Sequence, residues 1–154
     1  MKNNFQTTQA ENPSGVLIEE TIPPLAKMNA LLVDDSKTCT KIIAAHLHAY
    51  GLGYVHCASN GQEALDFLKQ SYERINIIIC DWVMPGIDGS ELLMRIRALD
   101  SDIPFVMVTS LSNPDFVRQA KKDGVTDYIV KPIDFRLMHR KLYSIHNNMF
   151  EKQF

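Results

Sequence analysis

Five polar residues follow four short apolar runs. Asp34 and Asp35 follow Ala30 to Val33, Asp81 follows Ile77 to Cys80, Thr109 follows Phe105 to Val108, and Lys131 follows Tyr128 to Val130. If the runs are parallel strands of one sheet, the five side chains meet at one edge. Three carboxylates there repel one another: two unit charges ~5 Å apart at an effective dielectric of ~20 cost roughly 3 kcal/mol. Protons or a cation must relieve them. An all-oxygen donor set without His or Cys thiolate favours a hard divalent ion, and a site with few protein ligands suits Mg²⁺. Lys131 adds a compact positive charge that can clamp an anion or pair with Asp81, and Thr109 supplies a neutral donor. A cation, an ammonium and a hydroxyl around a carboxylate are what phosphoryl transfer needs, with one carboxylate as nucleophile forming an aspartyl phosphate.

The elements that must position these residues are legible as a repeating pattern. The runs Ala30 to Val33, Tyr54 to Ala58, Ile77 to Cys80, Phe105 to Val108 and Tyr128 to Val130 are too short for helices and mostly rich in Ile and Val, as buried parallel strands are. Tyr54 to Ala58 ends in Ser59-Asn60, which adds nothing evident to the site. Helix punctuation fills the intervals: Ser36 as a cap, Asn60 with Glu63 as a capping box, Asn113 before Pro114, and Asp134 before the last helix. In that helix Phe135, Met138, Leu142, Ile145 and Met149 form the stripe laid against a sheet. Strand and helix alternating five times predicts an α/β fold, a doubly wound five-stranded parallel sheet flanked by five helices. Ligands bind such sheets at the strands' C-terminal ends.

The chain has 154 residues, 16 Lys+Arg and 18 Asp+Glu, for a net charge of -2. That length suits one domain, and no single-sign field exists to draw it onto nucleic acid. Cys39, Cys57 and Cys80 fit neither a paired framework nor a C-x-x-C motif, which predicts reduced thiols and a cytoplasmic protein. No run is long and apolar enough for membrane insertion or a signal peptide. Residues 1–27 are polar and end near Pro23-Pro24, so we expect an arm largely without regular structure, with Val16 to Ile22 as its candidate strand or helical turn. Residues 28–150 form the expected domain and 151–154 a tail. His46 falls on the Cys39, Ile42, Ile43, Tyr50 stripe. His139 and His146 are expected on the solvent side of the last helix with Arg136, Arg140 and Lys141, where Arg118, Lys121 and Lys122 could extend a partner-binding face.

The segments Leu32-Val33-Asp34-Asp35-Ser36, Asp81-Trp82-Val83-Met84-Pro85-Gly86-Ile87-Asp88-Gly89, Thr109-Ser110 and Tyr128-Ile129-Val130-Lys131-Pro132 together resemble the receiver domain of two-component response regulators, the bacterial signalling modules, in their stand-alone, chemotaxis-regulator-like form. The resemblance implies the flavodoxin-like strand order 2-1-3-4-5, which is the family's and is not read from spacing. It implies that Asp81 accepts a phosphoryl group from a histidine kinase, that Asp35, Asp81 and the Val83 backbone carbonyl ligate Mg²⁺, and that Asp34 holds a metal-bound water. Lys131 and Thr109 would contact the phosphoryl oxygens, and Ser110 would leave the entrance open. Thr109 and Tyr128 match the family's switch pair, so phosphorylation would drive a conformational change rather than enzyme turnover on an outside substrate. Output would pass to a downstream protein target, or phosphate to a histidine phosphotransfer protein, without a DNA-binding domain.

Two positions depart from the commoner pattern. Val83 and Leu111, two residues after the acceptor and after the switch Thr, are apolar where polar side chains often orient water, which predicts slow self-dephosphorylation. The competing reading is a small aspartyl-phosphate phosphohydrolase. It lacks its general acid, since Ser36 and Lys37 stand two positions after Asp34 and Asp35.

Overall fold

The computed structural model describes residues 7–11, 17–21, 25–99 and 101–150. Its strands are β1 (Thr7–Glu11), β2 (Leu17–Thr21), β3 (Asn29–Val33), β4 (Tyr54–Ala58), β5 (Ile77–Asp81), β6 (Phe105–Thr109) and β7 (Asp127–Val130). Its helices are α1 (Lys37–Ala49), α2 (Gly61–Ser71), α3 (Gly89–Ala98), α4 (Pro114–Lys122) and α5 (Phe135–Phe150), with a 3-10 turn at Tyr72–Arg74. Strands β3 to β7 form one parallel sheet in the order β4-β3-β5-β6-β7. Counted among themselves, that is 2-1-3-4-5, the order the resemblance implies.

The period of two along each strand divides the core. Leu31, Val33, Ile78, Cys80, Phe105 and Met107 face α2, α3 and α4, packing with Leu68, Leu92, Leu93, Ile96 and Ala120. Ala30, Leu32, Ile77, Ile79, Val106 and Val108 face α1 and α5, packing with Ile43, Leu47, Met138, Leu142 and Ile145. The central strands are buried on both faces, which is why they read as unbroken apolar runs, while edge strand β4 is fully buried only at Ala58. Capping follows the sequence: Ser36 accepts from the Cys39 amide, Asn113 from Asp115, and Asp134 from Arg136 and Leu137. At α2 the box is displaced by one residue. Asn60 accepts from the Glu63 amide, but the Glu63 carboxylate returns to the amide and hydroxyl of Ser59.

Three expectations change. The body begins before Met28, because Leu25 is fully buried in the α1/α5 side of the core and its amide donates to the Tyr50 carbonyl. The arm is not without regular structure where it is described, since β1 and β2 pair antiparallel from Thr7↔Thr21 to Glu11↔Leu17. Thr7, Thr8, Ile18 and Thr21 are β-branched residues that favour an extended backbone, and β2 overlaps the candidate Val16 to Ile22. His139 is buried rather than solvated, for its ring stacks on Tyr50, the C-cap of α1, at 4.1 Å and 9°. The tail 151–154 lies outside the described residues.

Candidate functional site

Parallel pairing of β3, β5, β6 and β7 brings their C-terminal ends to one edge, and with them the five polar residues. Carboxylate oxygens of Asp34, Asp35 and Asp81 all lie within 4.8 Å of one another. Lys131 Nζ stands 3.4 Å from Asp81 Oδ2 and 3.8 Å from Asp34 Oδ2. The Lys131 backbone is fixed by its amide, which donates to the Thr109 carbonyl at 2.8 Å.

The members of this group differ in environment. Asp34 is 2% exposed; its Oδ1 accepts from the Ser36 amide at 2.8 Å, whereas its buried Oδ2 has no hydrogen-bond partner among the described residues. Burial raises its pKa above the usual carboxylate value, the Ser36 amide opposes that, and neighbouring Asp81 adds to the rise. Burial works against the Lys131 ammonium, but Asp81 and Asp34 together outweigh it and hold its pKa above normal. Asp35 is exposed and faces solvent beside a cavity of about 400 Å³ lined by Ser59, Asn60, Gln62, Pro85, Gly86 and Ile87. Ser59 and Asn60 therefore do border the site, contrary to the sequence reading. The signal was too weak to find because β4 offers no charged residue at its end.

Three clustered carboxylates, one with a buried oxygen that accepts no hydrogen bond among the described residues, fit a hard divalent cation such as Mg²⁺. The cluster lies open to solvent on the Asp35 side.

The loop after β5 is built by backbone demands. Gly86 adopts φ +73, a left-handed conformation. Gly89 packs so tightly under the strand end that a Cβ there would stand 2.7 Å from the Asp81 carbonyl oxygen. Asp88 caps α3 by accepting from the Glu91 amide, a cap the sequence reading passed over. Trp82 is buried edge-on against Phe116. Val83, by contrast, is 62% exposed, and Leu111 is 42% exposed; Ser110 is also exposed. Thr109 is fully buried, its hydroxyl oxygen accepting from the Leu111 amide at 3.0 Å. Tyr128 stands on edge strand β7 opposite Met107, two residues before Thr109, and is half-buried. An apolar cavity of about 220 Å³ adjoins Lys131, lined by Cys39, Ile42, Ile43, Pro132, Ile133 and Phe135.

Comparisons with known proteins agree with this fold. The family model of the response regulator receiver domain matches residues 30–143. A chemotaxis protein CheY homolog of Campylobacter jejuni is 38% identical over 120 residues, covering 77% of this chain and 92% of the relative. Among solved structures, chemotaxis protein CheY4 of Vibrio cholerae superposes with a TM-score of 0.71 at 28% identity, over 78% of this chain and 99% of that one. CheY from the CheX-CheY-BeF3-Mg complex of Borrelia burgdorferi gives 0.73 at 29% identity, over 81% and 90%.

Proposed function

The chain belongs to the family of response regulator receiver domains, and on that premise we propose that Asp81 is the phosphoacceptor of a phosphorylation-dependent signalling switch. The observation that carries this reading is the convergence of Asp34, Asp35 and Asp81 on one another and of Lys131 on two of them. What such a cluster lacks is a cation to offset its excess negative charge.

Asp81 is the nucleophile by position. Its carboxylate lies at the end of the central strand β5, with the Lys131 ammonium beside it. The donor is a phosphohistidine of a histidine kinase or histidine phosphotransfer protein: the new O–P bond to Asp81 forms as the N–P bond breaks, and the imidazole nitrogen leaves with the electron pair. Lys131 moves from pairing carboxylates to pairing the phosphoryl oxygens, and Thr109 donates its hydroxyl to the same group. Mg²⁺, held by Asp35, Asp81 and the Val83 carbonyl with Asp34 behind, would supply charge neutralisation during transfer. Ser110 is small and leaves the approach open.

The readout is conformational. Thr109 is drawn toward the phosphate, its bond from the Leu111 amide is given up, and Tyr128 turns inward. The partners fitting this role are an upstream phosphodonor and a downstream protein target; a net charge of -2 gives no general attraction to nucleic acid. Onward relay to a histidine phosphotransfer protein uses the same chemistry in reverse.

Intact mass after mixing the protein with Mg²⁺ and acetyl phosphate tests the reading. One phosphoryl adduct is expected, absent without Mg²⁺ and in Asp81→Asn. An adduct that persists in Asp81→Asn would remove Asp81 as acceptor. If no adduct forms and Trp82 fluorescence ignores Mg²⁺, the phosphoacceptor function fails.

A further inference from the structure

Tyr128 is met from two helices at once. Lys121 of α4 places its Nζ 5.7 Å from the ring centroid, and Lys141 of α5 places its Nζ 5.1 Å away. Both distances fall inside the ~6 Å within which an ammonium is attracted by an aromatic face. Lys141 is anchored in addition by Asp127, whose Oδ1 it meets at 2.7 Å, and that same oxygen accepts the Tyr128 amide at 2.8 Å. Lys121 is exposed, and among the described residues it has no ion-pair partner, so no carboxylate accounts for its place over the ring. The ring also packs against the core on the α2, α3 and α4 side. Tyr128 is thus held in its present position by charge from α4 and α5 and by apolar contact beneath.

We propose that Lys121 and Lys141 are positioning residues that latch Tyr128 in the resting state, so that charge on α4 and α5 sets the threshold of the switch. This rests on the reading of Thr109 and Tyr128 as its moving parts. A ring that turns inward toward Thr109 leaves both ammonium groups. The conformational equilibrium is linked to occupancy of the phosphoryl site, so whatever holds Tyr128 back must weaken binding of a phosphoryl mimic by the same factor. Loss of one exposed cation–π contact is expected to tighten that binding about two- to five-fold, and loss of both about ten-fold.

The test uses the full chain with beryllofluoride and Mg²⁺ as probe, and fluorotyrosine labelling with the Tyr128 signal assigned through Tyr128→Phe. Lys121→Met and Lys141→Met should each lower the beryllofluoride Kd, and in the unliganded variants the Tyr128 signal should move part of the way to its bound position. Lys121→Arg keeps a cation over the ring and should restore the wild-type Kd and signal, which a merely structural lysine would not require. Lys121→Met is the cleaner variant, because Lys141→Met also strips Asp127 of its partner. If beryllofluoride moves the wild-type Tyr128 signal but both Met variants keep the wild-type Kd, the latch is wrong and the switch stands. If beryllofluoride binds while the Tyr128 signal stays fixed, Tyr128 is no switch residue and the latch falls with it. A wild type that binds no beryllofluoride and gains no mass from acetyl phosphate overturns the phosphoacceptor reading itself.

Discussion

At the scale of single residues, the lifetime of the phosphorylated state should be set by what flanks Asp81. Val83 and Leu111, two residues after Asp81 and after Thr109, are exposed and offer a water molecule neither an acceptor nor a donor from their side chains. Water attacking the aspartyl phosphate must then be oriented by the shared machinery alone. Val83→Asn combined with Leu111→Glu should shorten the half-life of the intact-mass adduct by about ten-fold or more, the scale of a positioned polar group assisting proton transfer. An unchanged half-life would show that access, rather than orientation, limits hydrolysis. Asp34, Asp35, Asp81, Thr109 and Lys131 were legible in the sequence because each stands within two residues of the end of an apolar run, and parallel strands carry their last residues to a common edge. What the runs do not encode is environment. Nothing in the spacing distinguishes the buried Asp34, whose Oδ2 accepts no hydrogen bond among the described residues, from the exposed Asp35 next to it.

At the scale of elements, α1 and α5 meet through rings. His46 stacks on Phe135 at 3.6 Å, Tyr50 stacks on His139 at 4.1 Å, and the Tyr50 hydroxyl donates to the Phe135 carbonyl at 2.6 Å. Burial and the nearby Asp134 carboxylate push the Tyr50 phenol well above its usual pKa, so it stays a donor throughout the accessible pH range. His139 is 6% exposed and its Nε2 has no partner among the described residues. Burial lowers its pKa, which means the unfolded chain binds the extra proton more readily than the folded one. Stability from this group is therefore present above pH ~6.5, the ordinary histidine value, and is lost as pH falls toward the lower folded value. His139→Phe keeps a stacking ring without a titrating nitrogen. In urea melts between pH 7 and 5, the wild type should lose stability relative to this variant, with a slope of at most about 1.4 kcal/mol per pH unit; parallel curves would mean that His139 takes up its proton freely in the fold. The stripe of α5 was readable since Met138, Leu142 and Ile145 repeat at helical spacing. His139 was misplaced because the apolar stripe alone marks the edge of the buried face, and the partner that covers that edge, Tyr50, comes from the C-cap of α1, 85 residues away from the Phe135 carbonyl its hydroxyl binds.

For the molecule as a whole, the question is where the cooperative unit begins. Alternation of strand and helix revealed the five-stranded architecture, and the family resemblance supplied its order, but neither could fix the N-terminal limit. Pro23-Pro24 and the polar residues before it draw the eye to a break just ahead of Met28. The structure instead carries the core back to Leu25, whose side chain is fully buried with Met28, Leu47, Tyr50 and Leu52, and whose amide closes on the last carbonyl of the α1 turn. A lone leucine between Pro24 and Ala26 has no periodicity to betray it; only the groove it fills, formed by residues up to position 52 and beyond, makes it part of the core. Truncation of such a side chain leaves a cavity as well as losing transfer energy, so Leu25→Ala in the full chain should cost about 2–5 kcal/mol in denaturant unfolding without changing the slope of the transition. The loss should also leave the intact-mass adduct on Asp81 in place at temperatures where the variant is folded, because Leu25 meets the C-terminal end of α1 whereas Asp34 and Asp35 precede its first turn. A cost below about 0.5 kcal/mol, the size of an ordinary surface substitution, would return the domain boundary to Met28 and make Leu25 the end of the arm.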